Sequence, residues 1–222
     1  MHSLSRRQLL GAASLAGLVP LAIGRPAAAA PAAAALPFIL HAAFFSQETH
    51  QAKPLDPQVF VKDQAAQAAV GLQNIPHAAG VRPAWLAGPR GAEAFNAQGQ
   101  SLGFTLAEWF AATGSVTITP AGPNTRLACR FTALRPHGVY SLFENHFDQK
   151  PIGFTPLDGT GHANSFTADA KGDAAISLVA PGRLSHDNAV LLVYHSDGQT
   201  HGAQRGEIGV TAHHQIIARI PA

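Results

Sequence analysis

Cysteine is nearly absent: Cys129 is the only one in 222 residues, so no internal disulfide forms and the fold depends on its core. No Gly-x-Ser-x-Gly elbow occurs, and Ser196 beside His195 is a poor nucleophile and base because neighbouring strand residues face opposite ways, which speaks against a serine hydrolase. No glycine-rich loop runs into Lys-Ser/Thr, so a phosphate cradle of that kind is excluded. There is no Cys-x-x-Cys pair, and Glu108 and Glu144 are not recognisable as a paired acid and base. The first long apolar stretch, Leu9 to Ile23, contains Pro20 and falls short of the ~20 residues that a membrane span needs.

What is present begins with a three-part leader. Ser5-Arg6-Arg7 supplies a charged start, Leu9 to Ile23 an apolar middle, and Pro26 to Ala35 an alanine-rich tail with several Ala-x-Ala triplets. The paired arginines followed by Gln8-Leu9-Leu10, and a mild apolar region interrupted by Gly11, Gly17 and Pro20, point to the twin-arginine route and its translocation machinery. The expectation is a signal peptide over 1–35 that is cleaved, leaving a soluble periplasmic or secreted protein with no stable transmembrane anchor. Cutting after the last triplet makes Leu36 the first mature residue. With Arg6, Arg7 and Arg25 gone, the fifteen Lys and Arg fall to twelve against thirteen Asp and Glu. A near-neutral chain without a clustered basic face gives a nucleic-acid partner no electrostatic basis.

The mature part is long enough for one domain with a core of ordinary size. From Leu36 to Gln100 the pattern is irregular, broken by Pro54, Pro57, Pro76, Pro83 and Pro89, and reads as an N-terminal extension over 36–100. Within it Asp56-Pro57 suits the cap and first turn of a helix running to Gly71, whereas Val59-Phe60-Val61 suits a short strand. Thr105-Leu106-Ala107-Glu108 is a capping box that predicts a short helix with Trp109 and Phe110 on its inner side, ended by a left-handed Gly114.

Beyond that helix the period changes from about 3.6 to 2. Val116 and Ile118, then Leu127, Cys129, Phe131 and Ala133, alternate with polar or small residues as half-buried strands do. Val139–Glu144 continues the pattern after a turn at Arg135–Gly138. Phe166–Ala170 and Ala174–Ala180 flank Lys171-Gly172-Asp173, a hairpin signal, and Ala189–His195 and His214–Ile220 complete the set. Seven short strands without alternating helices predict a mainly β fold, an antiparallel immunoglobulin-like or Greek-key β-sandwich over 101–222 with one short helix. In this frame Cys129 reads as a small buried hydrophobe, the alternative being a copper-thiolate ligand.

Histidine is the unusual component, with twelve in the chain and only His2 in the leader. Imidazole is the common protein ligand of zinc and copper. The sharpest group is Tyr194-His195-Ser196-Asp197-Gly198-Gln199-Thr200-His201-Gly202, followed by His213-His214. His195 closes a predicted strand, the glycine-containing loop folds His201 back toward it, and His213 or His214 opens the last strand alongside. Only one of that adjacent pair can face inward, since strand neighbours alternate. Asp197 is either a further ligand or the partner that fixes an imidazole tautomer. The competing reading is a polar loop whose side chains bond the backbone. His146 and His162 are weaker candidates in loops near Asn145, Asp148 and Asp158, while His41, His50, His77 and His137 receive no role.

Leu102-Gly103-Phe104-Thr105-Leu106 with Trp109, Gly138-Val139-Tyr140, Asn164 through Asp169, and Val193 through Gly202 together resemble a family of small exported bacterial β-sandwich proteins. The resemblance covers Leu102 to Ile220 and implies a shared fold, with no catalytic assignment. A looser likeness is to copper-zinc superoxide dismutase-like and chordin-type sandwiches, although the closely spaced His-x-His pair of the dismutases is missing. The functional expectation is a periplasmic protein binding copper or zinc through His195, His201, His213 or His214 and Asp197. The alternatives are a non-enzymatic cell-envelope interaction or structural module and a metal-dependent oxidoreductase.

Overall fold

The computed structural model describes residues 35–222, so all but the last residue of the expected signal peptide lies outside the described residues. The first part contains strands β1 (Ala35–Pro37) and β2 (Ile39–Leu40), helix α1 (His41–Glu48), then β3 (Leu55–Lys62), β4 (Ala69–Val70) and β5 (Pro76–His77). After these come β6 (Val81–Trp85), β7 (Glu93–Phe95), β8 (Ser101–Thr105) and helix α2 (Leu106–Trp109). The second part runs β9 (Thr113–Ala121), β10 (Asn124–Thr132), β11 (Val139–His146), β12 (Gly153–Pro156), β13 (Ser165–Thr167), β14 (Ala174–Ala180), β15 (Asn188–His195) and β16 (Ala212–Arg219). Among the described residues, no helix is long and apolar enough to cross a membrane.

The fold is mainly β and antiparallel. One sheet, here sheet A, has the order β1-β9-β10-β14; sheet B has the order β12-β11-β15-β16-β2, with β13 also on β11. The chain switches sheets between β10 and β11, returns for β14 and crosses again into β15, the connectivity of a sandwich rather than of successive hairpins. β10 shows why it forms: Thr125, Leu127, Cys129 and Phe131 are buried while Arg126, Ala128 and Arg130 are exposed. The interior between the sheets joins Leu127, Cys129 and Phe131 to Tyr140, Leu142, Leu192 and Ile216. Cys129 is thus core, and burial pushes its thiol up to about 12.

Sheet B differs because both its faces are covered. Every residue of β15 is buried. Val190, Leu192 and Tyr194 face sheet A, whereas Ala189, Leu191 and Val193 pack with Phe143, Ile217 and the partly buried Phe44, Phe147, Phe154 and Ile208. An uninterrupted apolar run is what a strand buried on two faces requires.

Residues 36–100 are not an irregular extension. Their strands β3, β6 and β7 join β8 in a third sheet of order β6-β3-β7-β8, and the described chain from Ala35 onward is one compact unit. Val59, Val61, Ala84, Ala94, Leu102 and Phe104 join the main core. Asp56 caps no helix: its carboxylate accepts the amides of Gln58 and Val59 at an irregularity in β3 and the Trp109 indole N–H at 2.8 Å. Prolines hid these strands from the sequence pattern, because Pro57 sits at the irregularity and Pro83 lies within β6.

The capping box exists as expected, with Thr105 and Glu108 satisfying each other, and starts α2. Gly114 does not terminate that helix but lies in β9, where a Cβ would come within 2.6 Å of the Phe131 ring. The Lys171-Gly172-Asp173 turn is real, with Asp169 accepting the amides of Lys171 and Asp173. It joins strands of different sheets rather than a hairpin, since β13 pairs with β11 and β14 with β10. A second helix, α1, lies where no helix was expected.

The segment from Ala35 to Leu40 serves both sheets. β1 pairs with β9, β2 pairs with β16, and Phe38 between them donates its amide to Gly114 and packs against Phe131 at 5.2 Å.

Candidate metal centre

His195 ends β15 on the face of sheet B turned away from sheet A. It is buried, and its Nε2 shares a 2.8 Å hydrogen bond with Ser141 Oγ on neighbouring β11. Its Nδ1 is buried without a partner. Burial, reinforced by the nearby His201 ring, lowers its pKa to about 4, while Asp197 pulls the other way. At neutral pH the ring therefore carries a bare nitrogen, the form that binds metal.

The loop after β15 turns back on itself. Asp197 accepts the Gln199 amide, and its other oxygen lies 3.0 Å from His201 Nε2. The His195 and His201 rings stand 5.3 Å apart, centroid to centroid. One ligand atom from each of His195, Asp197 and His201 lies within 4.8 Å of the others. Glycines make this return possible. At Gly206, φ is +86° and a Cβ would meet His201 Cδ2 at 3.0 Å; at Gly161, φ is +80° and a Cβ would run into the backbone of Gly202 and Ala203.

His213 and His214 stay out of this cluster, and a β-bulge is the reason. Between β15 and β16 Leu192 faces Ile216 but Val193 faces His214, so Gln215 is the extra residue. A regular ladder carried on from Leu192 and Ile216 would set His213 directly opposite His195. With the bulge His213 lies opposite Tyr194 and turns toward the sandwich interior. There its Nδ1 donates to the Gln58 carbonyl at 3.0 Å and its Nε2 meets Ser196 Oγ at 3.2 Å, so neither nitrogen is free. His214 shares the outer face with His195, but its Nε2 is taken by Arg205 at 3.1 Å.

His146 bonds Thr155 Oγ1 at 2.9 Å and lies 3.6 Å from Glu144, and His162 is exposed in a loop organised by Asp158. Neither belongs to the cluster. Ser141 was missed by sequence reasoning because its role follows from strand pairing, two positions along the ladder from His195. Arg205 was missed although it is the only Lys or Arg between Arg183 and Arg219, a lone cation within the histidine-rich stretch.

No family model, curated protein or solved structure matches the chain.

Proposed function

We propose that this chain is an exported periplasmic β-sandwich protein that binds a transition-metal ion, copper or zinc, between His195, His201 and Asp197. The convergence of one ligand atom from each within 4.8 Å carries the reading. Tetrahedral zinc with 2.0–2.1 Å bonds wants its ligand atoms roughly 3.3 Å apart, so closing movements of up to about 1.5 Å in the loop suffice. With its proton on Nε2 toward Ser141, His195 keeps Nδ1 as a lone-pair donor, the arrangement in which an outer hydrogen bond orients a ligating imidazole. Three protein ligands leave a fourth position for water or a small ligand. The leader motif Ser5-Arg6-Arg7-Gln8-Leu9-Leu10 supports the periplasmic assignment.

The test is metal content and affinity of protein purified from the periplasm, followed by titration with Zn2+ and Cu2+. Near-stoichiometric metal is expected, with a melting temperature that falls on chelation. His195→Ala and His201→Ala each lower affinity at least a hundredfold, while His146→Ala changes nothing. Asp197→Asn lowers it about tenfold if the carboxylate only orients His201, and more if it coordinates. Absence of bound metal together with a chelator-insensitive melting curve rejects the proposal.

A further inference from the structure

The outer face of sheet B carries a second polar group that the metal centre does not use. A cavity of about 490 Å3, within the size range of small-molecule sites, is walled by Phe44 and Phe45 of α1, by Phe147, and by Ile152 and Phe154 around β12. Arg205, His41, His214 and Asn145 also line it.

The hydrogen bonds fix what these groups lack. A guanidinium has only donors, so His214 Nε2 is the acceptor of the Arg205 bond, and the neutral His214 ring carries its proton on Nδ1. That N–H is buried without a partner, as are His41 Nδ1 and Asn145 Oδ1. The His41 and His214 rings meet edge to face at 4.8 Å. Burial and the neighbouring Arg205 charge hold both neutral, His41 being lowered to about 3.

Arg205 is half-buried, with its guanidinium carbon 3.4 Å from the centroid of the Phe154 ring. No carboxylate pairs with it among the described residues, and the acid that lines the cavity, Glu48, is engaged by Arg219 at 3.6 Å. Stacking and the His214 bond position the guanidinium, and no other protein group among the described residues bonds its N–H donors. A half-buried cation set against aromatic walls gains from a counter-charge.

We infer that this cavity is a binding site for a small monocarboxylate with an aryl or acyl body, its carboxylate on Arg205 and its body among the phenylalanine rings. One guanidinium flanked by neutral imidazoles matches a single negative charge; a phosphate dianion would want a second cation. The site uses none of His195, Asp197 or His201, so it stands whether or not metal binds.

The experiment is a calorimetric titration of the purified protein, in EDTA to remove carboxylate–metal contacts, with benzoate and hexanoate against benzamide, hexanamide and inorganic phosphate. At least one acid should bind tenfold or more tighter than its amide and than phosphate. Arg205→Gln should weaken that binding at least tenfold. Ile152→Glu, at an exposed wall position, offers Arg205 an internal carboxylate and should weaken it comparably with the melting temperature unchanged. The proposal is overturned if neither acid binds, if acid and amide bind alike, or if phosphate is preferred. Should Arg205→Gln fail to fold, unchanged affinity in Ile152→Glu overturns it.

Discussion

Sheets A and B enclose the same core but live in different surroundings. Sheet A presents its outer face to water, and β10 alternates accordingly. Sheet B is covered on both sides, and its covered outer face and loops hold His195, His214, Asn145 and Ser141. The difference teaches that the polar groups on the outer face of sheet B sit where every polar atom must find a partner or leave a measurable penalty. On sheet A water supplies the partner, so the exposed side chains have little at stake.

Acid should break the comparison most visibly. The folded-state pKa values of His195 and His213 are lowered to about 4 and that of His41 to about 3, and that of His214 lies well below the ordinary value; burial is the leading cause for all four. An unfolded chain takes up these protons as pH falls through 6.5, while the folded chain refuses them until near 4. Stability is therefore fully present above 6.5 and is lost as pH falls toward 4. Between pH 7 and 5 each buried imidazole contributes a loss of roughly 1–2 kcal/mol. Asp56 opposes this: desolvation raises it to about 6 despite the amide and indole bonds that lower it, so the folded state gains as pH drops through that value. Urea melts of chelator-treated protein should show a net loss of several kcal/mol, and a flat profile between pH 7 and 5 would contradict buried neutral imidazoles.

Next in size, Phe131→Ala removes a fully buried ring shared by both sheets and should cost about 3–5 kcal/mol in denaturant melts. His213→Ala, which strands the buried Gln58 carbonyl, should cost about 2–3 kcal/mol and flatten part of the acid response. Trp109→Phe leaves Asp56 without its indole donor; an increase of about 1–2 kcal/mol in unfolding tendency is expected, measured above pH 7 where the carboxylate is ionised. Smallest of all, Arg126→Ala on the open face of β10 should stay within about 0.5 kcal/mol. If it equals His213→Ala, the contrast between the sheets fails.

The sequence was legible where one signal sufficed. The alternation of Leu127, Cys129 and Phe131, the unbroken run of β15 and the Thr105–Glu108 box each describe their own surroundings. It was not legible where meaning depends on a distant partner. The Lys171-Gly172-Asp173 turn looks the same whether it joins paired strands or switches sheets, and Pro57 and Pro83 hid strands that tolerate them at an irregularity and away from a full ladder. Of the candidate site, His195, Asp197 and His201 were readable because a short loop brings them together. The fate of His213 was not, because it turns on Gln215, whose side-chain amide reaches the Trp109 carbonyl at 3.0 Å across the fold. Ser141 acts through ladder register, and Arg205 through a cavity assembled from four separate stretches of chain.

The run from Ala35 to Leu40 limits how much of the N-terminal chain the fold can lose. Those few residues are a single seam sewn through two fabrics, finishing one margin of each. A peptidase that trims as far as Ala35 leaves the stitching nearly whole, whereas one that cuts past Leu40 opens both margins at once and bares Ile216 and Val116 backbone to any passing strand. A cut that keeps both edge strands must therefore fall before β1, a limit set by the architecture.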